Sequence, residues 1–148
     1  MGTLLDTTVF IGLERELSAR NADDAVVEVL ERLVRELGPD EPVGISVITA
    51  SELLHGVHRA TDPEVLARRE SFVEAVIEAF PPIFFDLRCG RAHARLWAHL
   101  AAAGMDIGAH DRIVAATALA IGWRVATANV RHYQGIPGLE VVAPDFSP

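Results

Sequence analysis

The chain has 148 residues, with 13 basic and 21 acidic side chains and a formal net charge of −8. That length holds one domain, spanning residues 1–148, with a real core, and is too short for two. The charge argues against broad affinity for nucleic acid, which rests on Lys and Arg neutralising phosphates, and leaves room for a local basic rim or a cation-bridged contact.

Thr3, Leu4 and Leu5 read as a short apolar strand. Asp6-Thr7-Thr8 follows as the entry to a helix carrying Val9, Phe10, Ile11 and Leu13. Residues 22–37 form an amphipathic helix, with Val26, Val29, Leu30, Leu33 and Leu37 on one face and Glu and Arg opposite. Gly38 and Pro39 stop it. Residues 43–48 read as a buried strand and 49–59 as the helix behind it, with Thr49 as N-cap and Glu52 as the reciprocal partner of a capping box. A long helix over 63–80 is broken by Pro81-Pro82, and 83–85 reads as a short strand.

A helix over 87–103 carries Arg88, Arg91 and Arg95 on one side and is closed by Gly104. Residues 109–121 are apolar nearly all round, hence a buried helix, ended by Gly122. Strands over 123–126 and 139–142 complete the pattern. Strands that alternate with helices imply βα units around a parallel sheet.

No run approaches the roughly 18 apolar residues of a membrane span, and no basic segment precedes an apolar stretch as in a secretory signal. Asp6 stands where a myristoylation motif starting at Gly2 wants Ser or Thr. Cys89 is the only cysteine, which excludes intramolecular disulfides and fits a reducing, cytoplasmic setting. All 13 basic residues are Arg, so mechanisms that need a lysine are excluded. Mean hydropathy is +0.25, which leaves apolar surface for a partner or a dimer.

Four segments far apart in the chain put an acidic or amide side chain where an apolar strand ends or a helix begins: Asp6, Glu52, Asp111 and Asn129. Taken singly, each has an ordinary role. Asp6 and Asp111 suit helix caps, Glu52 suits the capping box, and Asn129 suits a turn with positive φ. Taken together, at the carboxyl edge of one parallel sheet, they supply the oxygen cluster that hard divalent cations need. The expectation is a metal-dependent hydrolase of phosphate esters, with nucleic acid as substrate. Arg112, Arg131 and His110 neighbour the cluster and are candidates for phosphate contacts. His132 lies close as well, with a solvated loop position as its plain alternative. Walker A and Gly-rich dinucleotide loops are absent. A receiver domain would need a lysine, and a haloacid-dehalogenase-type phosphatase a second Asp after Asp6-Thr7.

These blocks resemble a known family. Leu4-Leu5-Asp6-Thr7-Thr8-Val9-Phe10-Ile11, Ile45-Ser46-Val47-Ile48-Thr49-Ala50-Ser51-Glu52-Leu53-Leu54-His55-Gly56, Ile107-Gly108-Ala109-His110-Asp111-Arg112-Ile113-Val114-Ala115-Ala116-Thr117-Ala118-Leu119 and Thr127-Ala128-Asn129-Val130-Arg131-His132-Tyr133 are similar, in order, to the blocks of PIN domains. The resemblance is to VapC-type toxins of bacterial toxin–antitoxin pairs. It implies a three-layer α/β/α sandwich with a central, mostly parallel five-stranded sheet. It also implies a Mg²⁺- or Mn²⁺-dependent endoribonuclease, a homodimer and a VapB-like antitoxin partner. Asp6, Glu52 and Asp111 map to the metal-binding and catalytic carboxylates, with Thr7 and Thr127 in support. Asn129 takes the fourth catalytic place, where many relatives carry Asp, so a second metal would be held more weakly. Two alternatives stay open: a structure-specific DNA nuclease on the same architecture, and a PIN-type binding module without catalysis.

Overall fold

The computed structural model of the protein describes residues 1–145. Its five strands are β1 (Thr3–Leu5), β2 (Val43–Ser46), β3 (Pro82–Ile83), β4 (Arg124–Ala126) and β5 (Val141–Val142). They form one sheet in the order β3-β2-β1-β4-β5, with every neighbouring pair parallel. Leu5 is level with Ile45 on one side and with Ala126 on the other. The strand order reverses at β1, because the chain builds outward through β2 and β3 and then returns to lay β4 on β1's free side. Ligand sites of open parallel sheets lie beyond the carboxyl ends of the strands at such a reversal. Here that point is flanked by Asp6, which follows β1, and Thr127, which follows β4.

Seven α-helices cover the two faces: α1 (Thr7–Ala19), α2 (Val26–Leu37), α3 (Val47–Arg59), α4 (Pro63–Ala79), α5 (Leu87–Ala102), α6 (Ala109–Ile121) and α7 (Val130–Tyr133). Alternation along the strands divides the core, because successive side chains point to opposite faces. Leu5, Ile45 and Ala126 join Phe10, Leu13, Leu33, Leu53 and Val76 on the side of α1–α4. Leu4 and Val125 join Leu96, Leu100, Val114, Ala118 and Tyr133 on the side of α5 and α6. The result is the three-layer sandwich expected from the sequence. Gly122 closes α6 at φ +70, the left-handed conformation that glycine adopts without steric cost. At the opposite end of the sheet, Arg124 donates to Thr3 Oγ1 at 2.8 Å and to the Leu37 carbonyl at 2.6 Å. It ties β4 to β1 and satisfies a carbonyl at the end of α2. Among the described residues, no helix is long and apolar enough to cross a membrane.

Four local expectations are corrected. β2 ends at Ser46, not at 48, and α3 begins at Val47. Ser46 is the N-cap: its Oγ accepts from the Ile48 N–H at 3.2 Å. Thr49 is fully buried and its Oγ1 has no hydrogen-bond partner, so the capping box does not form. Glu52 therefore sits in the second turn of α3 rather than the first, which leaves its carboxylate available for other contacts. β3 is Pro82–Ile83, and the phenyl groups expected in that strand, Phe84 and Phe85, are exposed beyond it. Residues 22–25 do not belong to α2; a 3₁₀ turn at Asp23–Ala25 leads into it.

The two hydroxyls at the start of α3 should therefore respond oppositely to removal. Ser46→Ala should lower stability by about 1 kcal/mol, the cost of losing a cap. Thr49→Val deletes a buried hydroxyl that bonds to nothing and should be neutral or slightly stabilising. Urea unfolding of the two variants checks this. A loss at Thr49 with none at Ser46 would restore the capping box.

Candidate metal and catalytic site

Asp6 occupies the N-cap position of α1, yet its side chain does not cap that helix. Elsewhere in the chain aspartates do cap: Asp62 accepts from Glu64 and Val65 N–H at the start of α4, and Asp86 accepts from Cys89 N–H at the start of α5. The carboxylate of Asp6, 4% exposed, turns instead toward β4 and α7. Its Oδ2 accepts from Thr8 Oγ1 and Thr127 Oγ1, both at 2.9 Å. Its Oδ1 accepts from the Tyr133 hydroxyl at 3.3 Å. The threonines are fixed in turn by backbone, because Ala128 N–H donates to Thr8 Oγ1 and Asn129 N–H donates to Thr127 Oγ1, both at 3.0 Å. Each hydroxyl thus takes a backbone proton and directs its own at the same carboxylate oxygen.

Asp111 reaches the same place from the first turn of α6. Its Oδ1 accepts from the Tyr133 hydroxyl, again at 3.3 Å, and its Oδ2 lies 2.9 Å from His132 Nδ1. A carboxylate only accepts, so the ring nitrogen donates. Asp6 Oδ1 and Asp111 Oδ1 are therefore no further apart than those two 3.3 Å contacts laid end to end. Burial, then the nearby Asp6 and Asp111 charges, push the Tyr133 phenol far above the usual tyrosine range, so it remains a proton donor.

Glu52 stands beside this pair rather than within it. Its Oε1 accepts from Thr7 Oγ1 at 3.0 Å, and Thr7 is the residue after Asp6. Its Oε2 lies 3.7 Å from His110 Nδ1. Asn129 is exposed at the start of α7, with φ −108, so it is not a positive-φ turn residue, and its side chain does not cap α7. Arg131 is exposed on α7. Arg112 is anchored away from the carboxylates: it donates to the Ile107 carbonyl at 2.9 Å, and its guanidinium lies 5.2 Å from the centre of the Trp97 ring. This braces the loop that enters α6.

Among the described residues, no arginine pairs with Asp6, Glu52 or Asp111; the side-chain nitrogens nearest to Glu52 and Asp111 are the ring nitrogens of His110 and His132. Nor do three His, Cys, Asp or Glu side chains there stand close enough to cage a metal ion as they are. The donor set nevertheless suits one cation type. Mg²⁺ keeps several waters and takes one or two protein carboxylates, rather than a full protein cage. Asp6 and Asp111 are such a pair, and no fixed positive charge neutralises them.

The sequence reading gives neither Tyr133 nor Thr8 a role in the site. The available signal was that Tyr133 is the only tyrosine of the chain and lies four positions after Asn129.

Residues 3–135 match the PIN domain family. The chain is 31% identical over 142 residues to ribonuclease VapC1 of Rickettsia felis, covering 96% of each. Among solved structures, it is similar to VapBC2 from Rickettsia felis, bound to a DNA fragment from the promoter. That match has a TM-score of 0.76 and 23% identity, covering 98% of this chain and 100% of that one. It is also similar to VapBC-5 from Mycobacterium tuberculosis, a member of the VapBC family of toxin–antitoxin systems. There the TM-score is 0.69 and the identity 23%, covering 96% of this chain and 98% of that one.

The threonine cradle gives a direct test of how Asp6 is held. Thr127→Val removes one hydroxyl donor from a buried carboxylate and an acceptor from the Asn129 N–H. It should lower stability by about 1.5–3 kcal/mol, the range for hydrogen bonds to charged groups. A loss below about 0.5 kcal/mol in denaturant titration would mean that the hydroxyl is not a fixed support, since surface substitutions already reach that size.

Proposed function

The chain belongs to the PIN-domain family, and from that membership and the carboxylate site we propose that it is an endoribonuclease hydrolysing RNA phosphodiester bonds with Mg²⁺ or Mn²⁺, the toxin of a toxin–antitoxin pair. The observation that carries this reading is the meeting of Asp6 and Asp111 on one hydroxyl at the reversal of strand order, with no arginine to neutralise them. Asp6 and Asp111 would hold the cation, with Glu52 assisting from the side. The cation, when bound, supplies the positive charge that an acidic protein lacks, at the scissile phosphate and on the attacking water.

The residues then divide the work. Thr8 and Thr127 fix Asp6 so that Oδ1 is the oxygen facing Asp111. His132 fixes Asp111 through Oδ2. Glu52, one-third exposed and held by Thr7, is placed to help position the cation or to take a proton from the attacking water. Asn129, anchored through its backbone on Thr127, offers its exposed amide to a water or to substrate at the rim. His110 and Arg131 are exposed at the same end and suit phosphate contacts; the anchored Arg112 suits bracing instead.

A VapB-like antitoxin, a homodimer and a cytoplasmic setting complete the reading. An apolar trough of about 580 Å³ between α2 and α4 supports the antitoxin part. Val27, Leu30, Val34 and Phe80 line it, and the exposed Glu31, Arg35 and Glu78 flank them. A groove with that floor and charged margins suits an amphipathic segment.

Matched RNA and DNA oligonucleotides test the activity. The purified protein should cleave RNA when Mg²⁺ or Mn²⁺ is present and stop on chelation. Asp6→Asn, which keeps shape and removes charge, should abolish cleavage with the fold intact by circular dichroism. Undiminished cleavage by that variant would overturn the site assignment. Preferential cleavage of DNA would move the protein to the rival nuclease class.

A further inference from the structure

Tyr133 lies at the end of α7 with its ring in the core beside Leu4, Val114 and Val125, and it is 1% exposed. Its hydroxyl has a single proton and two carboxylate oxygens equally near, Asp6 Oδ1 and Asp111 Oδ1, each at 3.3 Å. Both contacts exceed the roughly 2.5–3.0 Å of an unshared O–H···O bond, as a donor divided between two acceptors requires. The other oxygen of each carboxylate is already engaged: Asp6 Oδ2 with Thr8 and Thr127, Asp111 Oδ2 with His132. The two Oδ1 atoms are thus the pair left to face a shared cation, and they are the pair that the phenol occupies.

A proton donor between two carboxylates relieves their repulsion in the same way as a cation, only more weakly. We propose that Tyr133 is a positioning residue: its hydroxyl holds Asp6 and Asp111 together in the metal-free protein and competes with the divalent cation for the same two oxygens. This rests on the cation site of the proposed function. It adds that the chain limits its own cation affinity through a buried phenol, 1% exposed. Removing the hydroxyl raises the energy of the metal-free state, where the charges then face each other unrelieved, and spares the metal-bound state.

Two measurements test this. In the first, Mn²⁺ is titrated calorimetrically into the wild type and into Tyr133→Phe, and thermal unfolding of both is followed with and without Mn²⁺. The variant should bind Mn²⁺ about tenfold more tightly, roughly the worth of a hydrogen bond to a charged group. Its metal-free form should melt lower than wild type, and Mn²⁺ should raise its melting temperature by more than it raises that of wild type. A merely structural hydroxyl would lower both melting temperatures alike and leave the Mn²⁺ affinity unchanged, which overturns the proposal, as does weaker binding by the variant.

The second measurement uses the wild type alone and does not depend on how the variant folds. The protein has one tyrosine, so the ¹³Cζ resonance of labelled tyrosine reports on Tyr133 without ambiguity. It should shift during a Mg²⁺ titration with the midpoint of calorimetric binding. A resonance that stays still while Mg²⁺ binds refutes the competition and leaves the cation site standing. Absence of any Mg²⁺ or Mn²⁺ binding by the wild type refutes the cation site itself, and this inference with it.

Discussion

Two carboxylates brought together without a fixed positive charge between them are the constraint from which the rest of this structure follows. Asp6 and Asp111 repel, and no arginine among the described residues pairs with either. The pair persists because the surrounding groups donate to it: two threonine hydroxyls, a phenol and an imidazole. Three of these donors are themselves fixed, by backbone N–H groups for the threonines and by core packing for the phenol. Hydrogen bonds compensate that charge without cancelling it, which is the ground for proposing an added cation here.

The fold makes this convergence possible through its topology. β1 and β4 are adjacent in space although the residues that follow them, Asp6 and Thr127, are 121 positions apart. α6 packs on the sheet from the other face and brings Asp111 to the same edge from its first turn. The short α7 then folds His132 and Tyr133 back over both. Strand order, helix entry and the turn after β4 each contribute one wall, so the site depends on the sheet being closed in this order. The anchors at the far end, Arg124 on Thr3 and on the Leu37 carbonyl, stabilise the same β1–β4 pairing from its amino-terminal side.

The layered architecture was legible because its signals are local. Apolar triplets, the 3.6-residue pattern of residues 26–37 and the all-round apolar run of residues 109–121 announce strands and helices without tertiary information. Asp6 and Asp111 were legible as residues at strand and helix junctions. What they bond to was not, because the Tyr133 contacts span 127 and 22 positions and no periodicity encodes them. The start of α3 misled for a different reason. Ser46 and Thr49 both carry capping hydroxyls, and Val47-Ile48 have the β-branched chemistry of a strand; the backbone chose the earlier cap and left Thr49 unpaired. Phe84-Phe85 read as strand because they are apolar and follow Pro81-Pro82, but they extend past the two-residue β3 into solvent.

The cation site is the claim on which function and the role of Tyr133 both rest, and anomalous diffraction locates it most directly. Crystals of the full chain soaked in Mn²⁺ should show one anomalous peak within coordination distance of Asp6 Oδ1 and Asp111 Oδ1, on the side from which Glu52 approaches. A peak bound elsewhere, with those two oxygens still bridged by the phenol at saturating Mn²⁺, would contradict the account.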